Sequence, residues 1–317
     1  QRITKNRYFK EDRLEEGMPK LREKVCSLSE AAAMIPDGVR LALGGFAVHN
    51  HPMGFVYELI RRRVRDLTIV GHVNGPELDI LVGAGSVKKV ETSYVGLEEF
   101  GLAPAFRRAV EQGKLELREY SEMLTFGRFM CSSRGEAFFP SVELMGTDLP
   151  RYNPDIKEGI NPIDGSKYHA ISAAEPDWVV IHAPMGDKYG NILFFSNRQL
   201  PLNLDLILSR CTRSLIVTVE QIVSHERVMR LSEYNLIPRL RTKAIVEVPY
   251  GAHPTSCLQL YDCDKEHLRI YAKAASNPDR LKDYLDQYVL GVKSHMEYLK
   301  QIGVESLTKL RVIGGNL

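Results

Sequence analysis

The run Val39-Arg40-Leu41-Ala42-Leu43 stops abruptly at Gly44-Gly45-Phe46, and no other stretch restricts the fold so strongly. It follows the turn signal Pro36-Asp37-Gly38, is too short for a helix and lacks a 3.6-residue period, so it predicts a buried strand. The two glycines let the backbone turn at the strand's carboxyl end and approach a ligand with no side chain between. Pro52 fixes the way out of the loop, and Met53 to Arg63 is expected as an amphipathic helix burying Phe55, Leu59 and Ile60. Strand, glycine turn, polar loop and helix make half a βαβ unit, and ligands of such units sit at the carboxyl ends of strands. The run is neither GxGxxG nor a phosphate loop with its lysine, so no nucleotide site follows from it. On these residues alone the loop is either a wall of a ligand cleft or simply a tight turn.

The rest of the chain repeats the alternation. Apolar segments at 66–73, 87–96, 178–183, 215–220 and 244–248 predict strands, with a more exposed one at 115–120 and a short one at 192–195. Helices are expected from the Ser27 cap to Met34, over 77–82 and 105–111, and as one long amphipathic helix over 278–300. Helices of this size between strands imply parallel crossovers, hence an α/β fold with an open, mainly parallel sheet and flanking helices. Residues 1–24 are charged without an apolar stripe and predict a peripheral arm; residues 25–317 predict a single α/β domain. The segment 146–168, with Pro150, Pro154 and Pro162, predicts a long irregular excursion without helix.

A net charge of +2 over 317 residues provides no field for nucleic acid. No run of about 18 apolar residues predicts a membrane span, and the polar beginning has no signal-peptide core, so a cytoplasmic protein is expected. Five widely spaced cysteines without a CxxC predict reduced thiols rather than a disulfide frame or a zinc site.

Several stretches together resemble the alpha subunit of family I coenzyme A transferases, of the glutaconate type. They are Leu41 to Phe46 with Pro52 behind it, Arg65-Asp66-Leu67-Thr68, Tyr189-Gly190-Asn191, Val219-Glu220-Gln221-Ile222, and Val248 to Thr255 followed by Leu260-Tyr261-Asp262. They keep the family's order and span residues 27 to about 315. The resemblance implies a NagB/RpiA/CoA-transferase-like fold and a similarly folded beta-type partner, in an α2β2 or larger assembly. It also implies that a glutamate of the beta chain attacks an acyl-CoA and takes the CoA before passing it to a carboxylic acid. Coenzyme A thioester is then a substrate, with no permanently bound cofactor and no metal. This agrees with a sequence that shows no Ser-His-Asp or Cys-His arrangement.

The resemblance places Gly44, Gly45 and Phe46 at the active-site cleft, where their amides could stabilise an oxyanion, with His51 and Pro52 behind them as substrate- or CoA-binding residues. His49 and His51, two apart without an acidic or cysteine ligand, read as loop histidines rather than a metal pair. Asn74, Gly75 and Gly96, at neighbouring strand ends, belong to the same crevice or to turns. Glu122 is the one ionisable residue singled out for chemistry: partly buried it could act as general base, while a surface salt bridge with Arg118 or Arg128 is the competing reading. His253 reads as structural, and Arg61-Arg62-Arg63 with Arg65 as a solvated helix end or a CoA phosphate contact. Three functions follow: one half of a heteromeric CoA-transferase; a hydrolase or decarboxylase acting on a CoA thioester with Glu122 as acid/base; and a non-catalytic binding protein of the same fold.

Overall fold

The computed structural model of the chain describes residues 21–195 and 200–312. Seven parallel strands form the body of the main sheet, in the order Thr242–Glu247, Leu215–Val223, Trp178–Asp187, Arg40–Leu43, Leu67–Val70, Val87–Thr92 and Glu116–Glu119. The chain starts near the centre, winds outward through 67, 87 and 116, and returns to the other side of its first strand at 178. The order therefore reverses between Arg40–Leu43 and Trp178–Asp187, where an open α/β sheet leaves a crevice beyond the carboxyl ends. Leu43 pairs with Val180, and the longer strand continues to Asp187, raising a wall beside Gly44 and Gly45. On that extension Ile192–Leu193 pairs antiparallel, followed by Asn235–Ile237.

Strand side chains alternate between two faces, and both are apolar because helices cover both. Leu41, Leu43, Val180, Ile216 and Val246 pack on one side with the helices Met53–Arg61 and Pro76–Gly83. Ala42, Val179, Ile181, Val217 and Ile245 face the opposite side, against Phe129, Leu204 and Leu208. This accounts for the continuous apolar runs, which a one-sided sheet would not require.

Two expectations are corrected, one lies mostly outside the described residues, and one is narrowed. The segment 146–168 contains a single helical turn, Leu149–Tyr152, which holds Pro150 in its first turn where no amide is needed. It also contributes Ile156–Ile160 to a small antiparallel sheet with Phe138–Ser141 and Lys167–Ser172. The long helix over 278–300 is broken: Pro278–Leu285 runs into a π-helical turn, Asp286–Leu290, and His295–Ile302 restarts from the Ser294 cap. The arm expectation for residues 1–20 lies outside the described residues, but Lys24 is fastened to the sheet edge, its amide donating to the Lys188 carbonyl and its own carbonyl accepting from Ile245. Finally, Met53–Arg61 starts at the crevice and runs back towards the amino ends of the strands, which carries the arginine run away from the cleft; Arg61 pairs with Glu58.

Candidate functional site

The turn at the crevice carries Gly44, Gly45 and Phe46, and all three of their amides are already in use. Gly44 N–H donates to the Val180 carbonyl (2.8 Å), Gly45 N–H to Asp205 Oδ1 (2.9 Å), and Phe46 N–H to the His49 carbonyl (2.9 Å), with His49 N–H returning the bond. These donors are therefore not free for an oxyanion, contrary to the expectation from the sequence. The glycines are needed for a different reason. Gly45 sits at φ +98°, where a Cβ would stand 2.5 Å from His51 Nδ1 and 2.6 Å from the His49 carbonyl, and a Cβ at Gly44 would run into the Asp205 carboxyl.

His51, Pro52, Asn74 and Gly75 lie behind the turn, not on the cleft wall. His51 is 1% exposed; its Nδ1 faces the Gly44 carbonyl (2.8 Å) and its Nε2 the Ala47 carbonyl (2.9 Å), with Glu77 Oε2 at 3.1 Å. The fully buried Glu77 also accepts from the Asn74 side-chain amide and Gly75 N–H, both at 2.9 Å. Asn74 Oδ1 in turn accepts from Thr92 Oγ1 (2.7 Å), and Gly96 N–H donates to the Asn74 carbonyl. The predicted residues thus share one place, the carboxyl ends of adjacent strands, but act as a buried scaffold. His51 is corrected from a ligand contact to a staple of the loop, because both of its ring nitrogens are occupied inside the protein.

An exposed carboxylate at the same end of the sheet comes from another element. Ser121 caps the helix Glu122–Arg134, whose first residue, Glu122, has a 66% exposed side chain. Neither expected arginine meets it: Arg118 turns to Glu116 and Asp155, and Arg128 to Glu91. Instead Glu122 Oε1 lies 3.6 Å from Nε2 of His72, just past the end of the Leu67–Val70 strand. His72 Nδ1 meets Thr125 Oγ1 at 2.6 Å, and its ring lies between Phe46 and Phe126, each 6.1 Å away. Burial among these groups lowers the His72 pKa to about 4, which keeps the ring neutral. Sequence reasoning passed over His72 and Thr125, although a histidine next to a strand-end glycine was the available signal.

Below the turn, Asp205 is completely buried, and its Oδ2 has no hydrogen-bond partner among the described residues. Burial pushes its pKa up to about 8, against the opposing bonds from Gly45 N–H and the Asn50 side chain. A carboxyl raised from the ordinary 3.8 has no effect on stability below that value, and costs stability as pH rises towards 8, because the unfolded chain releases a proton that the folded chain retains. Asp205→Asn keeps an acceptor for Gly45 and removes this cost. Its stability relative to wild type should therefore climb steadily between pH 5 and pH 8 in denaturant unfolding; a constant difference would place the Asp205 proton elsewhere.

His182, Glu220 and Cys257 bring possible metal-ligand atoms within 4.8 Å of one another. The Glu220 carboxylate, however, already accepts from His182 Nε2, Tyr250 N–H, Gly251 N–H and Tyr261 O–H, while His182 Nδ1 meets Thr218 Oγ1. This donor set describes a filled hydrogen-bond network that ties the 248–261 loop to the sheet. His253 is structural as expected, buried between Tyr298 and Asp264. All five cysteines are free thiols, and burial pushes each of their pKa values up, so none is an activated thiolate. Among the described residues no helix is long and apolar enough to cross a membrane.

Comparison with known proteins gives the family and the fold. A family model described as coenzyme A transferase matches residues 25–248. An uncharacterised protein of Archaeoglobus fulgidus is 36% identical over 295 residues, covering 92% of this chain, which spans 65% of that protein's length. The alpha chain of glutaconate CoA-transferase from Acidaminococcus fermentans is 28% identical over 310 residues, covering 92% of this chain and 96% of that one. The crystal structure of that enzyme superposes with a TM-score of 0.87 at 29% identity, over 92% of this chain and 96% of the other. The decarboxylase AibA/AibB superposes with a TM-score of 0.73 at 30% identity, over 84% of this chain and all of the matched one.

Proposed function

The chain belongs to the coenzyme A transferase family, and from that premise we propose that it is the alpha subunit of a heteromeric enzyme that moves CoA between an acyl-CoA and a carboxylic acid. The covalent glutamate belongs to a beta subunit, in an assembly of two copies of each chain or more. The observation that carries this reading is that the chain builds one wall of a crevice and, among the described residues, no activated nucleophile. Its turn amides are committed internally, and its thiols are held protonated by burial. A second chain is needed to supply the attacking group. Exposed Val142, Ile160 and Ile163, near the stacked Phe138 and Tyr168, give the small sheet an apolar face suited to contact with that chain.

A second reading is a hydrolase or decarboxylase acting on a CoA thioester. The Glu122 carboxylate beside His72 favours it, together with the 30% identity to a decarboxylase. One experiment separates the two. The purified chain is incubated with an acyl-CoA, with or without its beta partner and with or without an acceptor carboxylate, followed by borohydride reduction. Transfer predicts an inactive isolated chain, acceptor-dependent turnover on mixing, and a label on the beta partner. Free CoA or carbon dioxide released without an acceptor supports the second reading, and steady transfer by this chain alone overturns the first.

A further inference from the structure

Three of the six residues 45–50 hold left-handed backbone: Gly45 at φ +98°, Ala47 at +55° and Asn50 at +61°. Non-glycine residues at such angles are strained, and a loop keeps them only where its surroundings fix it. Within the loop, His51 staples the Gly44 and Ala47 carbonyls. From outside it the fixing group is Asp205, on the helix Leu200–Cys211. Asp205 Oδ1 accepts from Gly45 N–H (2.9 Å) and the Asn50 side chain turns to the same carboxyl, so one group reaches both ends of the loop. Asn50 carries the link further. Its Oδ1 accepts from Leu258 N–H (3.1 Å) and its own N–H donates to the Ser256 carbonyl (2.7 Å), which ties in the 256–258 segment. The fit has no slack, since a Cβ on Gly44 would stand 2.4 Å from Asp205 Oδ1.

Resting on the transferase reading above, we infer that Asp205 is the positioning residue of the crevice turn, holding Gly45 and Asn50 from beneath in the arrangement that the transfer requires. It does so as an uncharged acid. The carboxyl is completely buried, and no lysine or arginine is among the groups that bear on it. The titratable groups facing it are the Cys257 thiol, which burial keeps protonated, and, on the other side of the turn, the His51 ring with Glu77. Glu220, which acts on the same thiol, is closed by its four donors. As the acid, Asp205 gives Gly45 the acceptor it needs and leaves no charge in the interior. Ionised, it is a buried anion without a counter-charge, which draws in water or pushes its helix away from the turn. Burial sets that change at about pH 8.

The test uses the assembled two-chain enzyme. Initial rates of CoA transfer from one acyl-CoA to one carboxylic acid are measured from neutral to alkaline pH, with amide hydrogen exchange of residues 44–50 over the same range, corrected for the intrinsic effect of pH. Asp205→Asn keeps an acceptor for Gly45 and cannot ionise; Asp205→Leu keeps the bulk and removes the acceptor. At neutral pH the leucine enzyme is expected to lose about tenfold or more in kcat, as misplacement at a reacting centre does, with KM changed far less because the carboxyl lies beneath the turn. The asparagine enzyme should recover most of that loss. Wild type should lose kcat and amide protection together above about pH 8, and Asp205→Asn should show neither fall. An Asp205→Asn enzyme with the same alkaline fall as wild type, or an Asp205→Leu enzyme that assembles and turns over normally, would overturn the assignment. If the leucine chain does not assemble, the two pH profiles of the asparagine enzyme decide by themselves. Release of CoA to water in place of transfer would count against the transferase reading alone, since the exchange profile of 44–50 reads the role of Asp205 without any turnover.

Discussion

Glu91→Gln is expected to destabilise the folded chain by about 3–5 kcal/mol, the cost of leaving a buried arginine without its counter-charge. Glu91 and Arg128 are each 2% exposed. One Glu91 oxygen accepts from Arg40 Nη1 at 2.8 Å; the other accepts from Arg40 Nη2 at 3.0 Å and Arg128 Nη2 at 2.7 Å. Arg128 cannot retreat to water, since its Nε is bonded to the Ser172 carbonyl and its guanidinium lies 4.1 Å over the Tyr120 ring. The triad therefore clamps the first strand, the Val87–Thr92 strand, the Glu122 helix and the small sheet together. A fall in melting temperature on the order of 10 °C follows for a chain of this size. Burial alone would raise the Glu91 pKa, but Arg40 and Arg128 outweigh it and hold the group at about 2. A depressed carboxylate contributes stability above its ordinary 4.5 and loses it as pH falls towards 2, so the gap between wild type and variant should narrow by about 3 kcal/mol across that window. The apolar double replacement Glu91→Leu with Arg128→Met should recover much of the loss. A single variant as stable as wild type would mean that water reaches Arg128.

None of this clamp was legible in the sequence. Glu91 stands in a strand whose apolar partners identify the strand, not the arginines 51 and 37 residues away that meet it. What was legible rests on local physics. The short continuous apolar run Leu41-Ala42-Leu43 marked a buried strand, and the expected Ser27 cap is present, completed by Glu30 as a capping box. The long final helix failed because amphipathic spacing persists across Gly291 while Ser294 restarts the backbone hydrogen bonds. At the site, residue type and order located the strand ends correctly. They could not tell which side chains turn inward: His51 and Asn74 are polar but are satisfied by Gly44, Ala47 and Glu77 beneath the surface, whereas Glu122 stays exposed at the start of its helix beside His72. That distinction depends on tertiary hydrogen bonds, which leave no spacing in the chain.

The turn itself should be the least tolerant place in the molecule. Gly45→Val would put a β-branched side chain at φ +98°, a conformation such residues avoid, with its Cβ 2.5 Å from His51 Nδ1. His51 cannot yield, because it is held at both ring nitrogens and backed by Glu77. The backbone must therefore move, which breaks the Gly45 bond to Asp205 and shifts Phe46, whose ring lies 6.1 Å from that of His72. A displacement of about 1 Å at a reacting centre costs roughly a hundredfold in rate, and the assembled enzyme carrying Gly45→Val is expected to lose at least that much kcat. Association with the beta partner should survive, since the exposed apolar face of the small sheet is built from residues 138–168 and not from the turn. Gly45→Ala, with the same forbidden φ but less bulk, should fall between the two, and backbone strain of about 1–3 kcal/mol should lower its melting temperature as well. Initial rates and size-exclusion profiles of the three assembled enzymes measure both effects. Near-normal turnover by the valine variant would separate the glycine turn from the chemistry and leave it only the task of joining strand to helix.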